Sequence, residues 1–222
     1  MGSEFWAAIW GAIVGSALAG VISYLLQRQA FNAEEQRRLA ERKEILQTLA
    51  RALLYKLIRV YSNLYHLKEH LEESIARDRA AQSWTMVTPI ANLPDAVFFS
   101  PEEMSVVLQL KDDTLFNQLL NLDTIHNSTL AAFATYAKQR QEMLSGIPAE
   151  IHGRMGTTAF SDEEFKVLRP KMAELDHLIE DIRLRCLKDV KESAEILKTL
   201  QAALQKHLTI SHRLEFISVT EQ

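Results

Sequence analysis

His66-Leu67-Lys68-Glu69-His70 is the stretch of this chain with the most chemistry in it. Two histidines one helical turn apart can hold a zinc ion, and a glutamate beside them can act as the base that activates bound water. Such a site also needs a further ligand and a strand-built cleft around the substrate, and no strand-rich region is legible here. The same residues belong to a polar stripe, Arg59, Asn63, His66, His70 and Glu73, spaced by threes and fours beside a leucine seam. A solvated helix face is the expectation.

A second pattern concerns a metal held inside a helical bundle. Di-iron bundles use Glu-x-x-His on two helices and a lone Glu on two others. Glu174-x-x-His177 matches one part, and Asp123-x-x-His126 nearly matches another. If the helices run antiparallel, loop lengths set His126 level with Glu180, near His177, while His66 lies about nine residues, or ~13 Å, off that level. Glu174 and His177 flank the Leu175/Ile179 seam instead of lying on it, and the lone carboxylates are missing. His126 reads as a core histidine with a local partner. The segment at 146–160, GIPAEIHGRMGTTAF, lacks the Gly-Lys-Ser/Thr ending of a phosphate loop. Cys186, the only cysteine, sits on a seam as a small core residue and excludes an internal disulfide. No catalytic residue, cofactor or metal is assigned, and a non-enzymatic protein is expected.

The elements that would carry these residues begin with Phe5–Leu26, FWAAIWGAIVGSALAGVISYLL, which holds no charge. About 22 apolar residues suffice to cross the hydrocarbon of a bilayer as a helix, so 5–27 is expected to be a single transmembrane span. A cleaved leader would carry basic residues before a shorter apolar core. Residues 1–4, together with Phe5, read as translated cloning sites (Gly-Ser, then Glu-Phe) and are left out of fold reasoning. Gly11, Gly15 and Ala19 recur every four residues, as do Ser16 and Gly20; this spacing lets two helix backbones approach closely. That face is the expected surface for self-association.

Arg28, Arg37, Arg38, Arg42 and Lys43 follow the apolar stretch, and no basic residue precedes it. The positive-inside rule then puts the N-terminus outside and the remaining domain in the cytoplasm, at the inner membrane of a cell. Net charge is −4, but it is uneven: residues 28–82 carry +3 and residues 83–222 carry −6. An anionic lipid surface would attract the first part and repel the second, and nucleic acid is not an expected partner.

Residues 28–209 are expected to form an all-α antiparallel bundle of three long helices, 28–81, 101–144 and 162–207, with a loop segment or a second chain available as a fourth wall. Leu46, Leu49, Leu53, Leu57, Val60, Leu64, Leu67 and Leu71 give the first seam. Met104, Leu108, Leu115, Leu119, Leu122, Phe133 and Ala137 give the second. Phe165, Leu168, Met172, Leu175, Ile179, Ile182 and Cys186 give the third, with Pro170 expected to kink or break it. The apolar connection at 82–100 should fold over the bundle end. The tail at 210–222 changes to a period of two and is expected to be extended or a strand, with 85–88 as a possible partner. These features suggest an interaction, scaffold or regulatory module, partnered by the bilayer, a second copy and another protein. The alternative is an effector that perturbs the membrane when triggered.

Overall fold

The computed structural model describes residues 2–78, 80–145, 150–152, 155–157 and 161–208; side chains at 3–9, 11–14, 17, 19, 150–152 and 155–157 are not described. The chain divides into two units, Met1–Thr48 and Leu49–Gln222. Its architecture is helical, with one small antiparallel hairpin. The elements are α1 (Ser3–Ala76), α2 (Ser83–Met86), α3 (Pro101–Gln109), α4 (Asp113–Leu144), β1 (Glu150–His152), β2 (Met155–Thr157) and α5 (Asp162–Leu208). The strands pair Glu150 with Thr157, Ile151 with Gly156 and His152 with Met155. Sequence reasoning had only a chain break there, because three-residue strands among glycines show no usable alternation.

In the second unit, α1, α4 and α5 share a core. Leu53, Leu57, Val60, Leu64 and Leu71 of α1 are fully buried, as are Leu115, Leu119, Phe133 and Tyr136 of α4 and Ile179, Cys186 and Leu200 of α5. The three seams therefore do what their spacing demands. Direction differs from the expectation. Asn63 touches His126, and His70 stacks edge-on against Phe133, so α1 and α4 run parallel. α5 runs against both: Glu72 meets Arg183 while Trp84, further along the chain, meets Asp176.

The cause lies in residues 87–100. Val87 and Val97 are buried, and the intervening segment travels back along the bundle instead of capping its end. It thereby supplies the fourth wall and returns the chain to the starting level before α4 begins. Levels shift accordingly. Counting from the Glu72–Arg183 contact, His126 lies level with about Asp189 to Ser193, not with Glu180.

Helix ends follow local chemistry. Ser100 and Glu103 form a reciprocal capping box with Pro101 at the first helical position. The expected 101–144 helix is two helices, since Lys111 takes a left-handed φ of 57° and the Asp112 side chain accepts from Leu115 N at 2.9 Å. Leu108, placed on the inner seam by spacing, is consequently 53% exposed. Pro170 breaks nothing: α5 continues through it. Phe165 is not core either, for the first turns of α5 stand exposed. Residues Thr85 and Met86 are helical, not strand, and the tail at 210–222 lies outside the described residues.

Candidate functional site: a buried polar layer and its strap

Polar side chains from three helices enter the core at one height. On α1, Asn63 is buried beside Leu64, on the flank of an unbroken seam; on α4, His126 and Thr129 separate Leu122 from Leu130; on α5, Asp189 and Ser193 separate Cys186 from Ile196. All five polar side chains are buried. A polar group in such a place costs several kcal/mol unless it is hydrogen-bonded, and the bonds identify how the layer is built.

Asn127 fixes the arrangement. Its Oδ1 accepts from Val97 N at 3.0 Å, and its Nδ2 donates to Val97 O at 2.9 Å. The strap backbone therefore determines which end of the amide is oxygen. That oxygen lies 2.9 Å from His126 Nδ1, so Nδ1 carries the ring proton. The other nitrogen, Nε2, then accepts from Asn63 Nδ2 at 3.2 Å. His126 is held as a neutral imidazole, and burial pushes its pKa down; the Asn127 bond works the other way, and Arg59 adds to the lowering. Asp123, 3.4 Å from Asn127 Nδ2, has its carboxyl raised by burial. Burial likewise raises Asp189, with Glu192 adding to it, and holds the Cys186 thiol up at about 12, far from a reactive thiolate.

The strap at 87–100 is gripped at four further points. Tyr136 donates its hydroxyl to Val87 O at 2.7 Å, with Trp84 O at 3.0 Å beside it. His70 Nε2 lies 2.8 Å from Thr88 O and donates there. Lys56 Nζ donates to Phe98 O at 2.9 Å and pairs with Glu103 at 2.8 Å. Arg59 reaches Asp95 at 3.7 Å. Among the described residues, 88–99 make no backbone–backbone hydrogen bond, so the polar hold on this wall comes from side chains of α1 and α4, beside the packing of Ile90 and Leu93 on the core.

The sequence-predicted sites fall elsewhere. His66 is exposed, Glu69 pairs with Lys68, and His70 is spent on Thr88, so the zinc-like spacing holds no pocket. The solvated-stripe reading fits His66 but not Asn63, which is buried, or His70. Glu174 and His177 are both exposed and are not brought to His126. Among the described residues, no group of three or more His, Cys, Asp or Glu could hold a metal ion. In the first unit, Gly15, Ser16 and Gly20 are exposed on α1, and a Cβ added at Gly15 or Gly20 would meet nothing within 4 Å. The surroundings of Gly11 and Ala19 lie outside the described residues. Arg28, Arg37, Arg38, Arg42 and Lys43 are exposed; Arg38 pairs with Glu34 at 2.6 Å and Arg37 with Glu41 at 3.5 Å along the same helix.

Sequence reasoning found His126 but missed Asn127, Asp189 and the strap's grip. A readable signal existed on two helices: His126 and Asp189 each interrupt a seam, while Asn63 flanks one that Leu64 keeps continuous. Bringing these three residues to one height required the chain reversal at 87–100. Comparison with protein-family models, curated proteins and solved structures found no match for the chain.

Proposed function

We propose that this chain is a membrane-anchored helical module that works without catalysis, through self-association of its anchor and binding of a protein partner by its bundle. The observation that carries this reading is the environment of Phe5–Leu26. It is uncharged and lies wholly within α1. Its described large side chains, Trp10, Leu18, Val21, Ile22, Tyr24, Leu25 and Leu26, are 54–63% exposed. Fully burying an exposed Leu, Ile or Val is worth roughly 1.5–3 kcal/mol, so the five partly screened aliphatic side chains together favour lipid by several kcal/mol. Among the described residues no helix is long and apolar enough to cross a membrane. Half of the Phe5–Leu26 side chains fall outside those residues, and the sequence supplies the full apolar length.

In this reading the arginine-rich collar from Arg28 to Lys43 stays on the cytoplasmic side and the bundle with it. The exposed Gly15 and Gly20 positions support close approach of a second anchor, since among the described residues nothing lies within 4 Å of where a Cβ would stand. The anchor is tested by alkaline extraction of membranes from expressing cells. The full chain should stay in the pellet, and an Ile22→Arg/Leu18→Arg variant should move to the supernatant; extraction of the unaltered chain would refute the anchor. Self-association is tested by crosslinking in those membranes. Gly11→Leu/Gly15→Leu should reduce the captured dimer at least severalfold, and an unchanged dimer fraction would remove that part alone.

A further inference from the structure

We propose that the 87–100 strap is a pH-operated latch: protonation of His126 releases the Val97 end of the strap from α4 while the Thr88 end stays bound. The inference stands on the second unit alone and does not depend on the anchor.

The geometry makes the two ends unequal. At the Val97 end, one Asn127 oxygen accepts from both Val97 N and His126 Nδ1, and His126 Nε2 is satisfied only as an acceptor from Asn63. A second ring proton would sit on Nε2 and point at the Asn63 amide nitrogen 3.2 Å away, donor against donor. Turning the Asn63 amide would relieve that clash but leave a cation at a fully buried position. The groups around it do not compensate. From α1 come neutral Asn63 and cationic Arg59, with Lys56 near Asp123. From α4 come Asn127 and Asp123, whose bond goes to the Asn127 amide and not to the ring. The strap contributes Asp95, engaged with Arg59, and α5 contributes Asp189 at the same height with its carboxyl pushed toward the neutral form.

The charged ring gains most by reaching water. Moving α1, α4 or α5 away would uncover the fully buried seams that the three helices share, whereas the strap between 88 and 99 has Val97 as its one buried side chain and no backbone–backbone bond to lose. The strap is therefore the wall that gives way. At the other end His70 donates from Nε2 to Thr88 O, a bond that a protonated ring keeps.

The sign is that of a histidine whose folded pKa is lowered. The latch is fully closed above the ordinary histidine value of about 6.5 and weakens as pH falls below it toward and through the folded pKa. The test is amide hydrogen exchange of the full chain in detergent micelles at pH 7.5 and 5.0, each normalised to intrinsic rates. Peptides covering Val97 should lose protection at least tenfold more than peptides of α4, while the Thr88 end changes little. Asn63→Asp, which offers the imidazolium a carboxylate, should restore most of the protection at pH 5.0. His126→Gln should abolish the pH dependence, whatever its baseline. Equal loss across strap and α4, or an unchanged pH response in His126→Gln, would overturn the proposal.

Discussion

Two stretches of α1 carry similar apolar side chains in opposite surroundings. Between Leu53 and Leu71 the seam leucines are all but completely buried against α4, α5 and the strap. Between Trp10 and Leu26 every described side chain is exposed. The difference is in arrangement more than in hydrophobicity. The first stretch shows apolar residues on one side and Arg59, Lys56 and Glu69 on the others, which suits a core in water. The second carries no charge on any side, and its only polar groups are Ser16, Ser23, Tyr24 and the Trp10 indole. Under the anchor proposed above, one helix would carry two instructions, one for packing against protein and one for lipid.

The sharpest way to break this comparison is to remove bulk from the buried side. Phe133→Ala or Leu64→Ala, each at a site with no exposure, should cost about 3–5 kcal/mol by loss of burial plus a residual cavity. Urea unfolding of the full chain in mild detergent, followed by circular dichroism, would show it as an earlier midpoint with an unchanged slope. A loss below 1 kcal/mol would mean that this seam is not a core.

A smaller effect probes the strap's contribution to that core. Tyr136→Phe keeps the ring and removes the hydroxyl that donates to Val87 O, leaving a strap carbonyl short of a partner. The expected cost is about 1–2 kcal/mol. The loss of protection should concentrate at Trp84–Thr88 in hydrogen exchange. Uniform destabilisation would show that the Tyr136 hydroxyl does not hold the strap.

These contrasts also explain what could be read in advance. Helix content and the three seams were legible, because each depends on neighbours three or four residues away. The break at Leu110–Asp112 was readable too: Asp112 is a good N-cap, but apolar spacing carried across it hid the stop. The parallel course of α1 and α4 was not. It depends on how far a connection travels, and a 14-residue apolar segment is equally compatible with an end cap and with a wall. The polar layer shared that fate, since Asn127 makes sense only once Val97 lies beside it.

The break itself offers a stabilising change. Lys111 adopts a left-handed backbone that costs a side-chain-bearing residue about 1 kcal/mol, and its side chain is exposed. Lys111→Gly should raise stability by about 0.5–1 kcal/mol, and Lys111→Val should lower it. The same urea titration reads both. If glycine destabilises, its greater freedom in the unfolded chain outweighs the relief of φ.

The smallest expected effect returns to the exposed side of α1. Leu25→Ala deletes as much hydrocarbon as Leu64→Ala, yet Leu25 is 54% exposed and Leu64 is fully buried. Unfolding of the bundle should shift by less than about 0.5 kcal/mol, as for a surface change away from any packed feature. Retention in membranes should weaken only slightly, because one leucine is a minor part of the apolar set. Should Leu25→Ala unfold the bundle as readily as Leu64→Ala, the two stretches of α1 would be parts of one core, and the division between an exposed and a protein-facing half would fail.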